Sequence, residues 1–121
     1  MIFAYLFGSQ ATGRAHRLSD VDIAVYLDDS ISPESYLDRR LSLAEALSTR
    51  ARAGDVEVVV LNDAPLPLAG RIVRDRTVLY SRDEPARVRY ESLTLRMFFD
   101  FEIHARPLAL ERLRSIAEGR R

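Results

Sequence analysis

The 121-residue chain is predicted to be an α/β (α+β) domain: a small mixed β-sheet with helices packed on it and a C-terminal helix. Three observations predict this. Four short runs, Phe3–Phe7, Val21–Leu27, Asp55–Asn62 and Thr77–Ser81, carry the β-branched and aromatic content of strands. The stretches between and after them, about 33–52, 68–74 and 84–118, space their apolar residues as helices do. Hydrophobic residues make up 47% and charged residues 30%, enough to build one core. One domain is expected over residues 1–121, with a C-terminal helical region at about 84–118. There is no internal repeat, linker or low-complexity segment.

The first strand begins almost at Met1, and Gly8 ends it. Ser9-Gln10-Ala11-Thr12 can open a short helix that Gly13 closes. Free backbone N–H groups and the helix dipole at such a start favour an anion such as phosphate. Gly8 lets the anion approach the main chain, and the Ser9 hydroxyl adds a donor. Ser19 precedes the second strand, where it either binds phosphate or steadies the turn.

Asp20 and Asp22 open that strand, Val21-Asp22-Ile23-Ala24-Val25-Tyr26-Leu27. Residues i and i+2 share a face, roughly 6–7 Å apart. At an effective dielectric near 20 the two carboxylates repel by about 2–3 kcal/mol. A hard divalent cation such as Mg²⁺ removes that cost. Strand, phosphate-binding turn, loop and acid-bearing strand together read as a site for a metal–nucleoside triphosphate.

At these residues the chain resembles the polymerase-β-like nucleotidyltransferases. Leu6-Phe7-Gly8-Ser9-Gln10-Ala11-Thr12-Gly13-Arg14-Ala15 and Ser19-Asp20-Val21-Asp22-Ile23-Ala24-Val25 are similar to the minimal nucleotidyltransferases, and more narrowly to the MntA-type antitoxins paired with HEPN-domain toxins. The resemblance implies transfer of AMP from ATP to a tyrosine of such a toxin, with two Mg²⁺ ions and a hetero-oligomeric complex. It implies that Asp20, Asp22 and a third carboxylate are catalytic and bind metal, and that Gly8, Ser9 and Ser19 bind nucleotide. Strand parity leaves Asp55 and Glu57 both open as the third acid. The family text Val-Asp-x-Val-x-Leu-Asn aligns with Val56–Asn62 and selects Glu57, a glutamate where aspartate is usual. Thr12 stands where relatives often carry arginine; Arg14 and Arg17 either supply that charge or are solvated loop residues. Relatives often carry a helix before the first strand; its lack here implies a start codon placed too late or a naturally short member.

Further along, Asp28-Asp29 is expected to be solvated and to bind no metal. Ser32 is expected as N-cap, with Pro33 at the first helical position. Tyr36, Leu37, Leu41, Leu43, Ala44 and Leu47 form an apolar helical set, and Ala53-Gly54 stops the helix. The β-branched run at 55–62 suggests a central strand, and 77–81 an edge strand. Arg71 either meets nucleotide phosphate or is a surface residue. The 84–118 region has more apolar residues than one stripe needs, so some of Leu95, Phe98, Phe99 and Phe101 are candidates for a partner surface. Pro107 is expected to interrupt this helix. His16 and His104 read as surface residues.

Formal net charge is zero, which excludes a global basic field for nucleic acid. All 18 basic residues are arginine, so any phosphate clamp is arginine. With no cysteine there is no disulfide or thiolate chemistry. No apolar run spans a membrane and no signal peptide opens the chain, so the expected location is the cytoplasm. Two other functions fit the motifs: nucleotidyl transfer to a small molecule such as an aminoglycoside, and an antitoxin that acts by binding alone.

Overall fold

The computed structural model describes residues 1–8, 21–51 and 55–119. Its elements are β1 (Phe3–Phe7), β2 (Val21–Tyr26), α1 (Tyr36–Ala51), β3 (Val56–Val60), α2 (Leu66–Asp75), β4 (Thr77–Ser81), α3 (Glu84–Asp100) and α4 (Arg106–Ala117). One four-stranded mixed sheet has the order β3-β2-β1-β4. β1 pairs antiparallel with both β2 and β4, and β2 pairs parallel with β3. This is the expected α/β architecture. None of the described helices is long and apolar enough to cross a membrane.

The strand alternation splits the core in two. Ala4, Ile23, Val25, Val56, Val58 and Val60 face α1, where Tyr36, Leu43, Ala44 and Leu47 cover them. Phe3, Tyr5 and Ala24 face the other way, beneath Ile72 and Val73 of α2 and Tyr90 and Leu95 of α3. Phe3 stacks on Tyr26 at 4.9 Å between ring centres, and Tyr90 packs against both. Gly70 lies where α2 crosses α3: a Cβ there would overlap the buried Phe98 ring. Glycine costs α2 about 1 kcal/mol of helix propensity, and the close crossing offsets it.

A buried ionic knot ties three elements together. Glu91 of α3 accepts from the Tyr5 hydroxyl at 2.8 Å, from Arg87 at 2.8 Å and from Arg76 at 2.7 and 2.9 Å. Arg76 also donates to the Val73 carbonyl at 2.8 Å, just before β4 begins. Burial, reinforced by the Glu91 carboxylate, pushes the Tyr5 phenol well above its ordinary range. Burial pushes Tyr90 up to about 12.

Several expectations change. β3 is an edge strand, not a central one; its β-branched residues are buried because α1 covers one face, not because strands flank it on both sides. Leu37 and Leu41 are more than half exposed, since α1 turns only its Tyr36–Leu43–Ala44–Leu47 stripe to the sheet. Pro33 opens a 3-10 turn rather than α1, and the Ser32 side chain makes no cap bond; Ser35 Oγ donates to the Ser32 carbonyl instead, at 2.8 Å. Asp28 stays at the surface as expected, where it accepts from the Ser30 N–H at 2.8 Å and pairs with Arg82 at 3.2 Å. The interruption expected at Pro107 takes the form of a π-helical turn over Phe101–Ala105. Proline lacks the N–H and crowds the preceding turn, which a wider turn accommodates. Of the aromatic surplus, Phe98 is buried and Phe99 half exposed.

Candidate active site

β1 brings the chain to Gly8, which adopts φ +74°, the left-handed region that glycine reaches without strain. A Cβ at Gly8 would overlap Oδ2 of Asp22. Two separate constraints, backbone conformation and contact with a carboxylate, therefore demand glycine here.

Phe7 is the register partner of Asp22, and Asp22 is the register partner of Glu57. Facing residues on paired strands share a side, so both carboxylates project from the α2/α3 face at the end of the sheet, on strands about 4.8 Å apart. Asp22 is partly buried and Glu57 exposed. Asp55 precedes β3, and its carbonyl accepts from the Val21 N–H at 3.0 Å. It is thus one pairing step before Glu57.

The β2–β3 register is clamped at its far end. Asn62 Oδ1 accepts from the Leu27 N–H at 2.8 Å, and its Nδ2 donates to the Leu27 carbonyl at 2.9 Å. The side-chain amide continues the ladder beyond the last strand pair. A register slip of one residue would break both bonds and turn Glu57 to the opposite face.

Ser9, Ser19 and Asp20, with His16, Arg14 and Arg17, lie outside the described residues. Gly8, one residue beyond Phe7, lies against the Asp22 carboxylate, and Asp22 stands opposite Glu57. Arg71 is on the exposed side of α2, where Nε donates to the Pro67 carbonyl at 3.2 Å. Among the described residues no three acidic or histidine groups converge as a metal site. Asp22 and Glu57 supply two hard oxygen donors on one face, which suits a divalent cation.

Beyond Glu57, along the outer edge of β3, runs an open groove of about 450 Å³. Tyr36, Leu37 and Arg40 of α1 form one wall, and Ala64, Pro65 and Leu68 the other. Val58, Val59 and Val60 form its floor. The sequence singled out neither this groove nor the Glu91 knot. Arg87 and Glu91 do stand at i,i+4 on one helix, but Arg76 and Tyr5 join them only through tertiary packing.

Comparison with known proteins identifies the family and the fold. A family model described as polymerase beta, nucleotidyltransferase, matches residues 1–85. The protein adenylyltransferase MntA of Shewanella oneidensis is 34% identical over 80 residues, which cover 66% of this chain and 54% of that protein. The chain thus matches about half the length of that curated relative. A crystal structure of a toxin–antitoxin with AMP-PNP superposes with a TM-score of 0.71 at 26% identity, covering 93% of this chain and 86% of that one. An MNT antitoxin in complex with tri-AMPylated Shewanella oneidensis HEPN toxin shares the fold, with a TM-score of 0.66 at 22% identity over 93% and 82% of the two chains. With the glycine turn, the register-paired carboxylates and a family match over more than half its length, this chain belongs to the polymerase-β nucleotidyltransferase family.

Proposed function

We propose that this chain is a Mg²⁺-dependent protein adenylyltransferase that moves AMP from ATP to a tyrosine of a HEPN-domain toxin, and so acts as its antitoxin. The observation that carries the reading is the row Gly8–Asp22–Glu57, an anion-tolerant turn beside two carboxylates held in register. The related MntA, itself a protein adenylyltransferase, and the AMPylated toxin of the similar complex supply the substrate class.

In this reading Gly8 and Ser9 hold the outer phosphates through backbone N–H groups, and Ser19 adds a hydroxyl. Asp20, Asp22 and Glu57 would hold Mg²⁺, which when bound stabilises charge on the attacking and leaving oxygens. Glu57 takes the proton of the attacking hydroxyl. That oxygen bonds to the α-phosphorus, the bond from phosphorus to the bridging oxygen breaks, and diphosphate leaves. A zero net charge supports a protein acceptor over a nucleic acid, and cytoplasmic residence fits ATP as donor.

The test is the intact mass of a HEPN-domain partner after incubation with this protein, ATP and Mg²⁺. The expected result is a gain of one or more AMP units, absent with the Asp20→Ala/Asp22→Ala variant. An unmodified but inactivated partner would sink the catalytic reading and leave an antitoxin acting by occupancy.

A further inference from the structure

The outer edge of β3 faces the groove with a pattern of its own. The Val21 N–H bonds to the Asp55 carbonyl, and the register pairs Val21 with Val56. In a parallel ladder this directs the N–H and C=O groups of 55, 57 and 59 toward β2. Those of Val56 and Val58, with the Val60 N–H, therefore point away from β2, and of these residues Val58 and Val60 line the groove. They recur every two residues, about 6.6 Å apart. The main chain of an extended polypeptide matches such a row; a nucleotide has no group at that repeat.

The order across the sheet adds a second argument. Gly8 at the end of β1, Asp22 on β2 and Glu57 on β3 are successive neighbours, and the groove follows Glu57. The phosphate turn and the groove therefore flank the carboxylates on opposite sides. In-line displacement at phosphorus needs the attacking and leaving oxygens on opposite sides too.

From these two features we infer that the β3 groove is the acceptor subsite: an extended stretch of the acceptor protein adds to β3 as a strand and delivers its hydroxyl beside Glu57. This deepens the transfer reading above and rests on it. Strand addition supplies main-chain bonds for affinity, while pockets for alternate side chains supply selectivity. The apolar walls at Leu37 and Leu68 and the Arg40 cation offer such pockets. The hydroxyl proton passes to Glu57 as the new oxygen–phosphorus bond forms and diphosphate departs.

Two measurements on the full chain, with the HEPN-domain partner as probe, test this. The first is amide hydrogen exchange at Val58 and Val60, using the Asp22→Ala protein as well so that docking is read without chemistry. Exchange is expected to slow at least tenfold on adding the partner and to be unchanged by ATP alone. Unchanged exchange with the partner, or slowing by ATP alone, would overturn the assignment; the latter would give the groove to the nucleotide. The second uses the wall variants Leu37→Arg and Ala64→Arg, with folding checked by circular dichroism. The KM for the partner is expected to rise tenfold or more, with the KM for ATP and kcat at saturating partner within twofold of wild type. A rise in the KM for ATP, or no change in either, would refute the subsite. Slowed exchange without any AMP transfer by wild type would instead refute the transfer reading and leave the docking intact.

Discussion

The two edges of the sheet solve the same problem differently. Among the described residues β3 and β4 each leave one side of the ladder unpaired, which exposes them to association with other strands. β3 buries Val56, Val58 and Val60 beneath α1 and keeps its open side within a groove. β4 leaves Val78, Leu79 and Tyr80 between 40% and 51% exposed. Its pairing with β1 shifts register between Ala4 and Tyr5, so that Leu79 has no partner and bulges. A bulge twists an edge and spoils it as a template. The difference teaches that the sheet protects the edge it does not use by deforming it, and keeps regular the edge that carries Glu57.

Substitutions at and behind the two edges sharpen the contrast. The largest effect is expected at Glu57, where Glu57→Gln keeps shape but removes the proposed proton acceptor. AMP transfer should fall about 10²–10⁴-fold, while the melting temperature moves little because the side chain is exposed. Transfer within tenfold of wild type would assign the base elsewhere, with Asp55 the next to test.

Behind β4, Glu91→Ala should cost about 2–3 kcal/mol: the buried Tyr5 phenol loses its acceptor and Arg76 its carboxylate, while Arg87 keeps Glu84. Urea unfolding reads the loss directly. A cost below 1 kcal/mol would mean that the knot is dispensable.

At the end of β3, Asn62→Ala removes both clamp bonds and should cost about 1–3 kcal/mol. Transfer activity should fall beyond what the loss of folded protein explains, because the clamp fixes the row of Asp22 and Glu57. Full specific activity in the folded fraction would show that the ladder alone holds register.

Alkaline pH should weaken the β1/α3 side more gently. Tyr5 and Tyr90 ionise above the ordinary value of 10.0 when folded, so the folded state holds their protons more tightly. Their contribution is complete below pH 10 and declines above it, for Tyr90 through about 12. The urea midpoint should fall over that range, and less steeply for Tyr90→Phe. The smallest effect is expected at the bulge: Leu79→Ser should stay within about 0.5 kcal/mol of wild type.

The amino-acid order alone determined the element list and the chemistry. Four strand runs, the start of α3 at Glu84 and the acid and glycine residues were legible, because strand parity, glycine and proline act over a few neighbours. The break near Pro107 was legible as well, since one residue causes it. The family resemblance followed from contiguous text and is borne out by the match over residues 1–85. Only the tertiary structure decided which strand lies at an edge. A run such as Val56–Val60 looks alike whether a strand or a helix covers it. It also decided that Glu57 rather than Asp55 stands opposite Asp22, since register depends on pairing between segments more than thirty residues apart. The Glu91 knot and the β3 groove were invisible for the same reason. Each is assembled from residues that are distant in the chain and chemically ordinary until the fold brings them together.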